Sequence, residues 1–199
     1  RVLMLTGDHA ATARTIGRRL GLGDAVVTGR EIAAFTDDEL DLALRGCSVF
    51  ARVAPEHKLR IVQRLDAHGE VVAVTGDGAN DAPALRAAHL GIATGASGSD
   101  VAREAADMVL ADDNFATITA AVEEGRIVFA NIRKVTFFLL STAAGEVLAI
   151  LVTLLAGWPL PFTAAQILWI NLVTDSLQVF ALAFEPGVAQ RAQHYKSAV

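Results

Sequence analysis

Apolar residues follow two patterns along the chain, and the change falls near residue 125. In the first part they form short runs, separated by stretches with helical spacing. The runs at 2–5, 26–27, 48–51, 71–74, 90–93 and 108–110 are too short for helices and predict strands. Residues 10–20, 37–44, 55–68, 80–88 and 101–106 predict the helices between them. Gly21 and Gly69 stand where the first and third of these stop, and Pro55 where the third starts. The segment after Val27 predicts a polar loop, and 71–74 a buried strand. Strand alternating with helix predicts an α/β fold with a parallel sheet covered on both faces. Functional groups are then expected at the carboxyl ends of its strands.

The second pattern has longer elements. Ile118, Val122, Ile127 and Ile132 recur at helical spacing, so 115–134 predicts a helix running into the apolar stretch that follows. Residues 135–158 are 24 positions with one charge, Glu146, and 164–184 are 21 with one charge, Asp175. At ~1.5 Å per residue each can cross a hydrocarbon core of ~30 Å. The Pro-Leu-Pro-Phe-Thr between them, 159–163, is too short for a domain. The expectation is a transmembrane helical hairpin in contact with lipid, coupled rigidly to the first part by the preceding helix. Arg126, Arg133 and Lys134 flank one end and Arg191 and Lys196 the other, while the turn is uncharged. That distribution predicts a multi-pass membrane protein with residues 1–125 and the polar tail 185–199 cytoplasmic.

Composition adds exclusions. The 199 residues carry a net charge of −5 and no basic run, which argues against a nucleic-acid partner. Cys47 is the single cysteine, so no internal disulfide is expected. No His or Cys cluster has the spacing of a zinc or copper site. The chain opens on Arg1 without a signal peptide and with a strand already under way, which reads as part of something longer.

Chemistry concentrates at strand ends. Residues 71–81 read Val-Val-Ala-Val-Thr-Gly-Asp-Gly-Ala-Asn-Asp, an apolar strand running into a glycine-flanked acid with a second acid four residues on. Asp77 there suits Mg²⁺, which takes one or two carboxylates together with phosphate oxygens. Asn80 and Asp81 open the next helix, whose N-terminus favours phosphate. Thr6-Gly7-Asp8 repeats the theme, with a hydroxyl and backbone N–H groups for a phosphoryl oxygen, or with Asp8 as a plain helix cap. Lys58, early on its helix, can stabilise phosphoryl charge or simply be solvated. His57 is expected to be structural or surface-exposed. In the hairpin, Glu146 and Asp175 lie near the middle of their runs, where a carboxylate costs on the order of 3 kcal/mol. Asn171, Thr174 and Asp175 are spaced i, i+3, i+4 on one helix face. Oxygen-bearing side chains of this kind suit hard cations.

Taken together, Thr6-Gly7-Asp8, residues 51–58, 75–83 and 108–115, and Asn171-Leu172-Val173-Thr174-Asp175 resemble the P-type cation-transporting ATPases. They are most similar to the calcium-pump-like branch. The resemblance runs in order over residues 1 to about 186. It implies that residues 1–125 form the C-terminal part of a phosphorylation domain of haloacid-dehalogenase type. Residues 126–184 become the stalk and the equivalents of the fifth and sixth membrane helices. It implies Mg²⁺ and ATP, with Asp77 on the metal. Lys58, Thr6 and Gly7 would contact the phosphoryl group, supported by Asn80 and Asp81, and Asp8 and Arg52 would face the nucleotide. Glu146, Asn171, Thr174 and Asp175 would be ligands of the transported cation.

The departures from the family pattern set further expectations. The phosphorylated aspartate of the family lies in Asp-Lys-Thr-Gly-Thr, and this chain has no such string. The nucleotide-binding domain, the actuator domain and the other membrane helices are expected as partners from outside the chain, which alone is expected to be inactive. Ala143 stands where calcium pumps place Asn, and Ser176 where they often place Gly. Calcium therefore leads, with manganese, sodium and protons open. Two other readings remain: a membrane-anchored phosphatase, and a non-enzymatic truncated pump that regulates an intact one. The phosphatase needs a strand-end Asp-x-Asp, whereas Asp37-Asp38-Glu39-Leu40-Asp41 starts a helix.

Overall fold

In a computed structural model, which describes residues 1–186, a strand forms at each of the six short apolar runs. They are β1 (Met4–Leu5), β2 (Val26–Thr28), β3 (Val49–Ala51), β4 (Ala73–Gly76), β5 (Leu90–Thr94) and β6 (Met108–Leu110). All pairings are parallel. The strands make two three-stranded sheets, ordered β1-β3-β2 and β4-β5-β6, where one sheet is expected from sequence. Among the described residues β1 pairs with β3 alone and β4 with β5 alone, so each keeps an open edge there.

The intervening helices are α1 (Ala10–Arg19), α2 (Gly29–Ala34), α3 (Asp37–Gly46), α4 (Pro55–Ala67), α5 (Ala82–Ala87) and α6 (Asp100–Ala105). α2 occupies the expected polar loop. Six residues are too few for an apolar period, but the Thr28 hydroxyl accepts the Glu31 N–H while Glu31 accepts from Thr28, a capping box. Gly21 and Gly69 end α1 and α4 in the left-handed conformation, at φ +72° and +75°.

The main core packs β3 against α2, α3 and α4. Phe50, Ile32, Leu40 and Ile61 are essentially inaccessible, with Cys47 buried beside them. A smaller core joins Leu85, Ala93, Ala102 and Ala105. The expected buried strand at 71–74 is corrected. β4 begins at Ala73, its Ala73 and Thr75 are exposed, and Val71 is 85% exposed. An edge strand with one covered face buries only alternate residues. The chain divides into two compact units, Arg1–Phe115 and Ala116–Val199.

The second unit is helical over its described residues. α7 (Phe115–Leu155) is one uninterrupted helix through both the amphipathic stretch and the first apolar run. Its end follows the Schellman pattern: Trp158 N–H donates to the Thr153 carbonyl at 2.9 Å, Gly157 N–H to Leu154, and Gly157 has φ +66°. The return run is α8 (Ala164–Ile170), a π-helical segment Asn171–Asp175, and α9 (Ser176–Ala183). Thr163 and Gln166 form the capping box that starts it. Both runs are long and apolar enough to cross a membrane. Large apolar side chains such as Phe137, Leu155 and Trp169 stand exposed along them, as lipid or further helices require. Asn131 of α7 is buried, and its carboxamide donates to the carbonyls of Ala183 and Glu185 at 3.2 and 2.7 Å. It thus ties α7 to carbonyls at and just beyond the end of α9. Lys134 adds an ion pair to Glu185 at 2.5 Å. The expected tail beyond residue 186, with Arg191 and Lys196, lies outside the described residues.

Candidate functional site

β1 and β4 both end on one cleft. β1 runs into Thr6-Gly7-Asp8, held against β3 by Thr6 N–H to the Phe50 carbonyl and Val53 N–H to the Thr6 carbonyl, at 2.9 and 3.0 Å. The Thr6 hydroxyl accepts the Asp8 N–H at 3.1 Å, which shapes the turn. Gly7 lines the cleft, and a Cβ there would meet nothing within 4 Å, so its backbone is open to a ligand.

β4 delivers Asp77. Gly76 before it is required by packing: a Cβ there would lie 2.5 Å from the Cβ of Asp81 and 2.8 Å from its Oδ2. Glycine lets Asp81, on the 3₁₀ turn Ala79–Asp81, fold back against the strand. There the Asp81 carboxylate pairs with Lys58 Nζ at 2.5 Å, with side-chain exposures of 10% and 20%. Lys58 is therefore not a solvated surface lysine. Pro55 opens α4, and His57 Nδ1 accepts the Ala54 N–H at 3.2 Å, which aims the first turn toward the cleft and gives His57 a structural role.

Gly7, Lys58, Asp77, Asn80 and Asp81 thus surround one cleft of ≈ 270 Å³, closed by Val53, Pro55 and Gly78. Thr6, Asp8 and Arg52 adjoin it without lining it. Arg52 sits at φ +51°, uncommon for a residue with a Cβ. Its guanidinium lies 2.6 Å from His9 Nε2, and its N–H donates to the Asp8 carbonyl. Gly29 makes room for this turn, since a Cβ there would be 2.1 Å from the Arg52 carbonyl oxygen.

Among the described residues, no three His, Cys, Asp or Glu side chains gather into a metal cage. One exposed carboxylate, Asp77, faces the cleft, and the other, Asp81, is engaged by Lys58. That donor set suits Mg²⁺ accompanied by a phosphoryl group, because Mg²⁺ keeps most positions for water and phosphate oxygens. It does not suit zinc. Residues with no role assigned from sequence also reach the site. The Ser99 N–H donates to the Asp77 carbonyl, while Asp113 and Arg103 hold the loop that carries Ser99. Nothing local in the sequence marks the link between Asp113 and Gly95, which spans 18 residues.

In the hairpin, Glu146 is half-buried on α7, and Asn171, also half-buried, opens the π-helical segment. Among the described residues these two are not joined by a side-chain hydrogen bond. The backbone through Asn171–Asp175 departs from α geometry. The i, i+3, i+4 spacing that places Asn171, Thr174 and Asp175 on one face assumes hydrogen bonds closing at i+4, and here they close at i+5. Single turns of this kind occur frequently at functional sites.

Comparison with known proteins finds matches in both parts of the chain. Residues 1–89 match the haloacid dehalogenase-like hydrolase family. Residues 159–195 match the C-terminal family of cation-transporting ATPases. A probable cation-transporting ATPase F of Mycobacterium tuberculosis (strain ATCC 25618 / H37Rv) is 54% identical over 195 residues, covering 94% of this chain and 22% of that protein. The calcium-transporting ATPase 1 of Lactococcus lactis subsp. lactis is 48% identical over 198 residues, covering 96% of this chain and 22% of its own length. The chain thus spans about a fifth of the length of the curated relatives it matches. A crystal structure of a zinc-transporting PIB-type ATPase superposes with a TM-score of 0.61 at 31% identity, over 91% of this chain and 24% of that one.

Proposed function

Since the chain belongs to the P-type cation-transporting ATPases, we propose that it supplies the phosphoryl-handling cleft and part of the ion path of an ATP-driven cation pump. The observation that carries this reading is the convergence of Gly7, Lys58, Asp77 and Asp81 on one cleft at strand carboxyl ends. Phosphoryl transfer asks mostly for positioning and charge stabilisation. Asp81 holds the Lys58 ammonium in place, where it offsets charge on a phosphoryl oxygen. The Thr6 hydroxyl and the open Gly7 backbone orient that group, and Asn80 supports it from the turn. Asp8 and Arg52 face the nucleotide. Asp77 is the residue to hold Mg²⁺, which when bound neutralises phosphate charge.

The nucleophile of the proposed aspartyl-phosphate cycle comes from elsewhere in the pump. The open edges of β1 and β4, both ending at the cleft, are the natural place for a strand that carries it. The cargo passes Glu146, Asn171, Thr174 and Asp175. Hard oxygen donors favour Ca²⁺ or a related cation. The first unit and the polar tail lie on the cytoplasmic side of a multi-pass protein. The actuator and nucleotide-binding domains and the other membrane helices are its partners.

Two measurements test this. The purified chain in detergent is expected to show no ATPase activity, and robust turnover would sink the proposal that it depends on other domains. An antibody raised against the first unit is expected to detect, in source membranes, a band several times larger than 20.9 kDa. A band at 20.9 kDa would mean that this piece acts without the rest of a pump in the same chain.

A further inference from the structure

The Asp77 backbone has a partner outside its own turn. Its carbonyl accepts the Ser99 N–H at 2.8 Å. Ser99 follows the loop 95–98 that leaves β5, and that loop is gripped from two sides. Asp113, in the turn after β6, accepts the N–H groups of Gly95, Ala96 and Ser97 at 2.7, 3.1 and 2.7 Å. Arg103, on α6, donates to the carbonyls of Gly95 and Gly98 at 2.8 and 2.6 Å, and also pairs with Asp100. The Ser97 hydroxyl foremost, with the backbone N–H groups, holds the Asp113 carboxyl below its ordinary pKa, so it is ionised in this role.

The grip is tight. Asp113 sits at φ +49°, in the left-handed region that Asp enters more readily than most residues with a Cβ, and this turns its carboxylate toward the loop. A Cβ at Gly98 would lie 2.1 Å from the Thr94 carbonyl oxygen, so the loop lies directly on the end of β5. Asp77 itself is loosely held: it follows an edge strand, is exposed, and is succeeded by Gly78. A metal-binding carboxylate has to be fixed to within ~0.5 Å by groups that do not themselves touch the metal.

We propose that Asp113 and Arg103 are positioning residues for Asp77, acting through the 95–98 loop and the Ser99 N–H to hold the carboxylate at the mouth of the cleft. The proposal rests on the reading of Asp77 as the Mg²⁺ ligand. It makes the turn after β6 part of the phosphoryl site, although Asp113 lies 36 residues beyond Asp77 in the chain. Its effect is on metal affinity and not on the Lys58–Asp81 pair.

The test uses the full chain in detergent micelles and Mn²⁺ as the probe, with free aqua-Mn²⁺ read by electron paramagnetic resonance. Ser99 has φ −71° and ψ 153°, values that proline adopts without strain, so S99P removes the N–H with little change of backbone. Ser99 also caps α6 through its hydroxyl, which accepts the Ala102 N–H at 3.2 Å. S99A, which loses the cap and keeps the N–H, is therefore the baseline. S99P is expected to bind Mn²⁺ roughly fivefold more weakly than S99A, the order of one lost hydrogen bond. Equal affinities overturn the proposal.

Asp113→Asn is expected to speed amide hydrogen exchange at Ser99 and to weaken Mn²⁺ binding in parallel. Exchange and affinity both unchanged would also overturn the proposal. Should that variant not fold, the S99P and S99A pair still decides. Asp77→Asn separates the two readings. If it binds Mn²⁺ as the unmodified chain does, Asp77 is not the ligand and both readings fall. If it loses Mn²⁺ while S99P matches S99A, only the positioning role falls.

Discussion

Residue by residue, the cleft depends on how closely Asp81 can approach β4. Gly76 allows that approach, and the approach places Asp81 on Lys58. Both partners are largely removed from water, so their value lies in being kept together. Losing one leaves a buried charge unpaired, which costs about 3–5 kcal/mol, whereas replacing both with apolar groups can be neutral. Lys58→Met is therefore expected to lower the stability of the chain by about 3 kcal/mol in urea unfolding followed in detergent. Lys58→Met with Asp81→Leu should recover most of that loss. A single variant as stable as the unmodified chain would mean that Asp81 finds another donor. Neither glycine nor lysine advertises this role in the sequence. Gly76 reads as turn punctuation, and Lys58 on its own reads as a surface charge.

Among elements of the described residues, α3 and α4 are joined by several ion pairs. Arg60 and Arg64 of α4 reach Asp37 and Asp41 of α3, and His68 adds a contact to Asp41 at 2.8 Å. Arg60 also donates to the carbonyls of Ile32 and Phe35 at 2.8 Å, satisfying the end of α2. Arg64 foremost, then His68, holds the Asp41 carboxyl far below the usual carboxylate range, and Arg60 holds Asp37 below it. A folded-state pKa below the unfolded value stabilises the folded protein above the unfolded pKa of about 3.9, and the effect is lost as pH falls toward the folded pKa. Asp41→Asn is therefore expected to melt below the unmodified chain at pH 7, with the gap closing as pH drops below about 4. A gap that stays constant with pH would show that charge is not what Asp41 contributes. The capping boxes at Thr28 and Thr36 make the helix starts readable from four-residue strings. The partners of Arg60 and Arg64 lie 23 to 28 residues away and are not readable in that way.

On the scale of the whole molecule, the chain joins an α/β unit with a cleft at its strand ends to a helical unit with exposed apolar faces. The proposed pump requires events in one to depend on the other. That dependence is testable at Asp175, on the stretch where the return helix turns π-helical. In the complete pump, Asp175→Asn is expected to abolish ion-dependent phosphorylation by ATP while leaving expression and folding intact. Unchanged ion dependence would remove Asp175 from the ion path. Exposed leucines and phenylalanines along these helices would otherwise meet water, so all these measurements are made in detergent or bilayer.

The amino-acid order by itself determined the six strands, most helices, the two apolar runs and the cleft residues Gly7, Lys58, Asp77, Asn80 and Asp81 as candidates. These rest on apolar period, caps, Gly and Pro, and contiguous motifs, all of which are local. The tertiary structure alone decided five things. It split the strands into two sheets with open edges at β1 and β4, and it left one face of β4 exposed. It joined Lys58 to Asp81, and it wrapped the Asp113 carboxylate in three N–H groups from a loop 16 to 18 residues away. It also wound Asn171–Asp175 as a π-helix inside a run whose apolar pattern is unbroken. Each of these depends on which distant groups meet or on how hydrogen bonds are shared among many residues, and no window of sequence contains that information.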